Sequence, residues 1–138
     1  MKKVISAILI IAVVAVAGIW YFIFYRPTHY KRDITVEKYI GINAADIVKE
    51  FQNNEDSANK KYLNKIIQVT GIVGDVKKNQ NGKMVLTLNG ADNMSNVICT
   101  LQNNNTTATT GATVTLKGIC TGYLMDVVII DAIIIDSK

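Results

Sequence analysis

The sequence predicts a small all-β domain with a helical N-terminal side, an α+β arrangement in which a five-stranded barrel follows one membrane-spanning helix. Three observations predict it. Val4 to Tyr25 runs for 22 residues without a charge. From Lys65 onward, apolar residues recur with a period of two, the strand period. Turn signals, Asn81-Gly82 foremost, cut that stretch into five short apolar segments.

The apolar run comes first. A helix over Val4 to Tyr25 rises about 33 Å, enough to cross the hydrocarbon core of a bilayer. Lys2 and Lys3 precede it, as in the basic start of an export signal. A cleavage site could be read at Ala15-Val16-Ala17, but the apolar run continues beyond it, so an uncleaved signal-anchor is expected. Trp20, Tyr21, Phe22, Phe24 and Tyr25 gather at one end, where amphipathic rings suit the headgroup region. No Cys follows the run, so a lipid-modified anchor is not expected. Lys2 and Lys3 nearly balance Arg26, Lys31 and Arg32, so charge alone does not orient the helix. A very short basic start followed at once by apolar residues behaves as an export signal. The expectation is a single-pass membrane protein with its domain on the extracytoplasmic, periplasmic side.

Residues 26–42 read as a polar linker with Pro27 near its start, and Ile34, Val36, Tyr39 and Ile40 imply that part of it docks as an extended segment. The folded domain is expected over 43–138. Asn43 reads as a helix N-cap, with Asp46 completing a weak capping box. Ala44 to Gln52 places Ile47, Val48 and Phe51 on one helical face, and Asn53-Asn54 interrupts it. Glu55 to Leu63 follows as a second short helix with Ala58, Tyr62 and Leu63 on its apolar side.

The first strand is expected over Lys65 to Val76, with Ile67, Val69, Gly71 and Val73 on one face and Gln68 and Thr70 on the other. Gly71 and Gly74 suit a sharply coiled strand. Further strands are expected over Lys83 to Asn89, Asn96 to Gln102, Ala112 to Thr121 and Val127 to Ile135. The last is nearly all apolar and is expected to be central and covered on both faces. Gln102 to Gly111 (QNNNTTATTG) reads as a polar loop. Helices followed by five strands in a domain this size point to a closed or nearly closed barrel. The oligonucleotide/oligosaccharide-binding fold, the OB-fold, has this form, and an SH3-like barrel is the alternative.

Particular residues carry a resemblance. Ala58-Asn59-Lys60-Lys61-Tyr62, Lys65 and Val69-Thr70-Gly71-Ile72-Val73 resemble the opening of the tRNA-anticodon-like OB-fold family. Lys117 to Tyr123 (KGICTGY) and Asp126-Val127-Val128 resemble its second signature. The resemblance spans about residues 45–135 and implies an OB barrel. It does not imply tRNA binding, because fold and function separate. Asn64 stands where that pattern leads one to expect Gly, and Asn is the next most tolerant of a left-handed backbone. The segment 103–110 lacks the helix that many OB-folds insert between strands three and four.

Composition excludes several functions. From Asn43 onward, nine Lys face nine Asp and Glu, so the domain is neutral and has no nucleic-acid charge footprint. Asp126, Asp131 and Asp136 are five apart, so on a strand they cannot converge as a catalytic pair. His29 is the single histidine and has no positioned partner, and two cysteines cannot make a zinc site without help. No phosphate loop or nucleophile elbow occurs. No enzyme activity, cofactor or metal is expected. Cys99 and Cys120 could pair in an oxidising compartment, but in the OB strand order the fifth strand would separate them.

The candidate ligand-binding residues are Lys77, Lys78 and Lys83 in the first hairpin and Tyr123 after the fourth strand. In an OB-fold both loops flank the ligand face. Phe51 and Tyr62 read as helix packing, which leaves too few rings for a single-strand binder. The expected partners are the membrane, through residues 4–25, and an unidentified protein or envelope polymer. Nucleic acid is the alternative and is not the expected partner.

Overall fold

The computed structural model describes residues 2–25, 33–92 and 94–138. Helix α1 (Lys2–Trp20) widens over Tyr21–Tyr25 into a π turn. Rings one turn apart stack there, Trp20 on Phe24 at 6.2 Å and Tyr21 on Tyr25 at 5.1 Å between centroids. Ile8–Tyr25 has a mean hydropathy of 2.6, which makes this helix long and apolar enough to cross a membrane. The chain divides into two compact units, Met1–Asp33 and Ile34–Lys138. His29, Pro27, Arg26, Lys31 and Arg32 lie outside the described residues.

The second unit opens with a short strand, β1 (Ile40–Asn43), then helices α2 (Ala44–Asn53) and α3 (Glu55–Tyr62). Five strands follow: β2 (Ile66–Lys78), β3 (Met84–Asn89), β4 (Asn96–Leu101), β5 (Thr113–Tyr123) and β6 (Val127–Ser137). Their order is β2-β3-β4-β6-β5, and β5 pairs back onto β2 to close a barrel. β2 can serve both neighbours because it is long and bulged. Its residues 66–72 pair with β5, and beyond a register shift at Gly74 it pairs with β3. β1 is an additional strand, parallel to β2, with Ile40 opposite Ile67 and Asn43 opposite Thr70.

The alternation expected of the strands holds. Ile67, Val69 and Val73 of β2 and Val114, Leu116 and Cys120 of β5 all enter one core. α2 closes one end of that core with Ile47, Val48 and Phe51, none more than 1% exposed. Each such side chain contributes about 1.5–3 kcal/mol by leaving water. Gly71 permits the close approach of α2, since a Cβ there would meet the Ala44 methyl at 2.7 Å. Residues 103–110 form no helix, so α2 is the element that plugs the barrel end.

Three local expectations meet different outcomes. Asn64 takes a left-handed φ of 59° between α3 and β2, as its position required. Asn43 sits at the N-cap of α2, but its side chain makes no capping bond and instead donates to the Asp46 carboxylate at 3.3 Å. The side chain that caps is Asn54, which accepts from the Ser57 amide at 2.9 Å and starts α3. β6 is central in strand order but is not covered on both faces: Ile130 is 37% and Ile135 51% exposed. A barrel buries only its inward positions, and among the described residues Ile130 and Ile135 stay partly uncovered on its outside.

The docked part of the linker is held by an unexpected residue. Lys117 lies on β5 and is only 4% exposed. Its ammonium donates to the Thr35 carbonyl at 2.9 Å and the Glu37 carbonyl at 3.2 Å, and sits 4.9 Å from the Tyr39 ring centre. Ile34 is buried in the same segment. The folded unit therefore begins at Ile34, ahead of Asn43.

Candidate functional site

An OB barrel uses the outer face of its second and third strands, here β3 and β4. Leu86, Leu88, Val97, Cys99 and Leu101 point into the core. The intervening residues Val85, Thr87, Ile98 and Thr100 point the other way. Val85 lies opposite Thr100 and Thr87 opposite Ile98, which makes two cross-strand pairs. Ile98 also lies beside Val128 of β6, so the β-branched surface continues there. Its side chains offer apolar contact and two hydroxyls, with no ring on which a base could stack.

The lysine hairpin lies at one end of this face. Asn79 organises the turn: its Oδ1 accepts from the amides of Asn81 and Lys83, both at 3.0 Å. Gly82 supplies the positive φ of 74° that the turn needs. Lys77 lies 3.3 Å from Asp75, and Lys83 lies 3.9 Å from Asp131 on β6. Lys78 pairs with no carboxylate among the described residues. Two of the hairpin's three lysines thus lie near acids, Lys77 near its strand neighbour Asp75 and Lys83 near Asp131, which is distant in sequence.

Tyr123 lies at the other end. It stands past the start of β2, where β5 has outrun its partner, whereas Lys77 and Lys78 close the far end of β2. The structure therefore does not bring the four candidate residues together. Tyr123 is half-buried and stacks on Phe51 at 5.5 Å with 16° between ring planes. Its hydroxyl lies 3.4 Å from Ser95 Oγ. Phe51 in turn meets Tyr62 at 6.0 Å, as expected of helix packing. Tyr123 belongs to this ring cluster, which ties α2 and α3 to the β5–β6 hairpin.

A concave feature elsewhere escaped the sequence reading. A groove of about 720 Å³ runs between β1 and the helices, lined by Asn43, Asp46, Lys49, Gln68 and Thr70 among others. Glu50 forms part of its wall and accepts from Lys61 at 2.9 and 3.1 Å and from the Tyr62 hydroxyl at 2.8 Å. The Lys61 hydrogen bond holds the Glu50 carboxyl below its ordinary range, against the cost of burial and with help from Tyr62. Burial pushes the Tyr62 hydroxyl up. This trio crosses the helix break at Asn54, so no helical spacing reveals it.

Four other reactive groups are buried or engaged. Burial pushes the Cys99 and Cys120 thiols up, and both are free cysteines. The Asp92 carboxylate accepts from Gln52, Ser95 and Met94, and Asp126 accepts from the Asn96 amide at 2.7 Å. Among the described residues, no three His, Cys, Asp or Glu are placed to hold a metal ion.

Comparison with known proteins yields two likenesses. The model of a family described as tRNA_anti-like matches residues 1–133. A solved structure from Klebsiella pneumoniae subsp. pneumoniae MGH 78578, described as a "putative nucleic acid-binding lipoprotein", is similar with a TM-score of 0.54 and 14% identity. The match covers 78% of this chain and 100% of that one, and at this identity the likeness is one of fold. No curated protein matches the chain.

Proposed function

The chain belongs to the tRNA_anti-like family, and on that premise we propose that it is a membrane-tethered OB-fold binding module acting outside the cytoplasm. Val4 to Tyr25 is its anchor, and residues from Ile34 onward are its working part. It binds a protein or an envelope polymer and catalyses no reaction. The committed carboxylates and raised thiols just described support a binding role, since a catalytic group must be free to exchange a proton or attack.

The observation that carries the choice of ligand is the outer face of β3 and β4. Thr87, Ile98 and Thr100 form a half-buried β-branched patch beside buried Val85, and Tyr123, the ring nearest an OB ligand loop, is half-buried against Phe51. Such a patch suits apolar contact with another protein or a polymer better than base stacking. A second reading, a nucleic-acid-binding domain facing the cytoplasm, is favoured by the description of the similar Klebsiella protein and by Lys78 in the exposed hairpin.

Topology separates the two. An alkaline phosphatase fused after Lys138 is expected to be active in cells, and a fluorescent protein that matures only in the cytoplasm is expected to stay dark at the same position. The reverse pair of results would transfer support to the nucleic-acid reading.

A further inference from the structure

β1 presents a free strand edge inside a groove. It is the terminal strand of the sheet order, paired on one side with β2. Among the described residues, no turn or loop backbone bond reaches Ile40–Asn43 from the other side. Ile40 and Ile42 pack against the core, so Gly41 and Asn43 face the opposite way. All four line the groove. The groove also touches Gln68 and Thr70 of β2, so it spreads over the β1–β2 face as well as around β1, whose edge toward β2 is already taken.

Free edges are usually protected by Pro, by charge or by a bulge. β1 (IGIN) has none of these and is protected only by its shortness, and Gly41 adds no side chain there. Unpaired N–H and C=O groups at strand spacing match one kind of ligand, another extended polypeptide. We propose that this edge is a docking site for an extended, polar peptide segment of a partner protein, which adds as a strand beside β1. The groove walls fit that chemistry. Glu50 pairs with Lys61, and Asp46 and Lys49 add one charge of each sign, so the lining is neutral and no anionic polymer is favoured. Asn53 and Gln68 offer hydrogen bonds to side chains of the guest. A second copy of this chain is a poor guest, because its own β1 is recessed in the same way. This site is distinct from the β3–β4 face, so failure of either reading leaves the other standing.

The test uses the full chain in lipid nanodiscs and a phage-displayed library of random linear peptides as probe. A Cβ at Gly41 would meet only the Tyr39 ring, at 4.0 Å, so Gly41→Trp can fill the groove mouth without displacing the core. Peptides selected on the wild type are expected to bind Gly41→Trp more than roughly tenfold more weakly. N-methylation of one alternate set of peptide amides is expected to abolish binding, and methylation of the other set to leave it intact. The methylation comparison needs no protein variant, so it decides the matter even if Gly41→Trp melts early. Failure to select any peptide that prefers the wild type would overturn the proposal. So would equal binding of both methylated sets, or a wild-type dimer that Gly41→Trp converts to monomer.

Discussion

The Lys117 ammonium lies 2.9 Å from the Thr35 carbonyl oxygen, and that bond joins the segment ahead of β1 to the middle of β5. A lysine buried to this degree must find acceptors for its donors, and it finds them on the backbone of residues 35 and 37. The approach to the barrel is therefore part of the fold. Truncation just before Asn43 removes buried Ile34, β1 and both carbonyl partners. Since Lys117 regains water on truncation, most of the loss comes from Ile34 and the β1 ladder, about 3 kcal/mol or more. A chain starting at Asp33 is expected to melt more than about 10 °C above one starting at Asn43 in a calorimetric comparison. Equal melting temperatures would show that the docked segment is incidental.

The cysteines are expected to stay reduced. Cys99 of β4 and Cys120 of β5 both lie opposite Ile129 of β6, so one whole strand separates them. Two strand spacings put their Cα atoms about 9–10 Å apart, beyond the reach of a disulfide. Burial also keeps both thiols protonated. The melting temperature should be the same with and without reductant, and thiol labelling should appear only on unfolding. A species that migrates faster on a non-reducing gel would contradict this.

Much of the barrel was legible because it is written in local alternation. Ile67, Val69 and Val73, and Val114, Leu116 and Cys120, announce their inward faces whatever they pack against. Asn64 announces its left-handed turn. What was not legible depends on partners distant in sequence. Lys117 in an alternating strand reads as a solvent-facing residue until residues 35–37 cover it. β1 is four residues long and becomes a strand only by pairing with β2. Tyr123 reads as a loop aromatic until Phe51 is placed beneath it. Lys83 reads as a free charge until Asp131 of β6 is placed beside it.

The Glu50–Lys61–Tyr62 trio should give a small acid-side dependence. Glu50 has a folded-state pKa below its unfolded value. Its contribution is therefore fully present above the unfolded value and is lost as pH falls through the folded one. Side chains this exposed contribute little, so the effect at neutral pH should not exceed about 1 kcal/mol. The stability difference between wild type and Glu50→Gln is expected to shrink as pH falls below about 4. Denaturant titrations at several pH values measure it. A difference that grows toward acid would mean that Glu50 is not held ionised.

Single-stranded nucleic acid should bind weakly or not at all at physiological salt. The charge from Asn43 onward sums to zero, and in the hairpin Asp75 and Asp131 already accompany Lys77 and Lys83. Within the hairpin, Lys78 is the one lysine with no carboxylate beside it among the described residues, so the slope of log affinity against log salt should be small. Stacking contributes about 1–3 kcal/mol per base, but it needs an exposed ring, and Tyr123 is engaged with Phe51. Any residual affinity should disappear in the triple variant Lys77→Ser, Lys78→Ser, Lys83→Ser, while Tyr123→Leu should lower stability through the lost stack more than it lowers binding. Fluorescence anisotropy with a labelled oligonucleotide, run across a salt series, is the measurement. Sub-micromolar binding that persists at physiological salt, with a slope of several, would place the nucleic-acid reading ahead of the one favoured here.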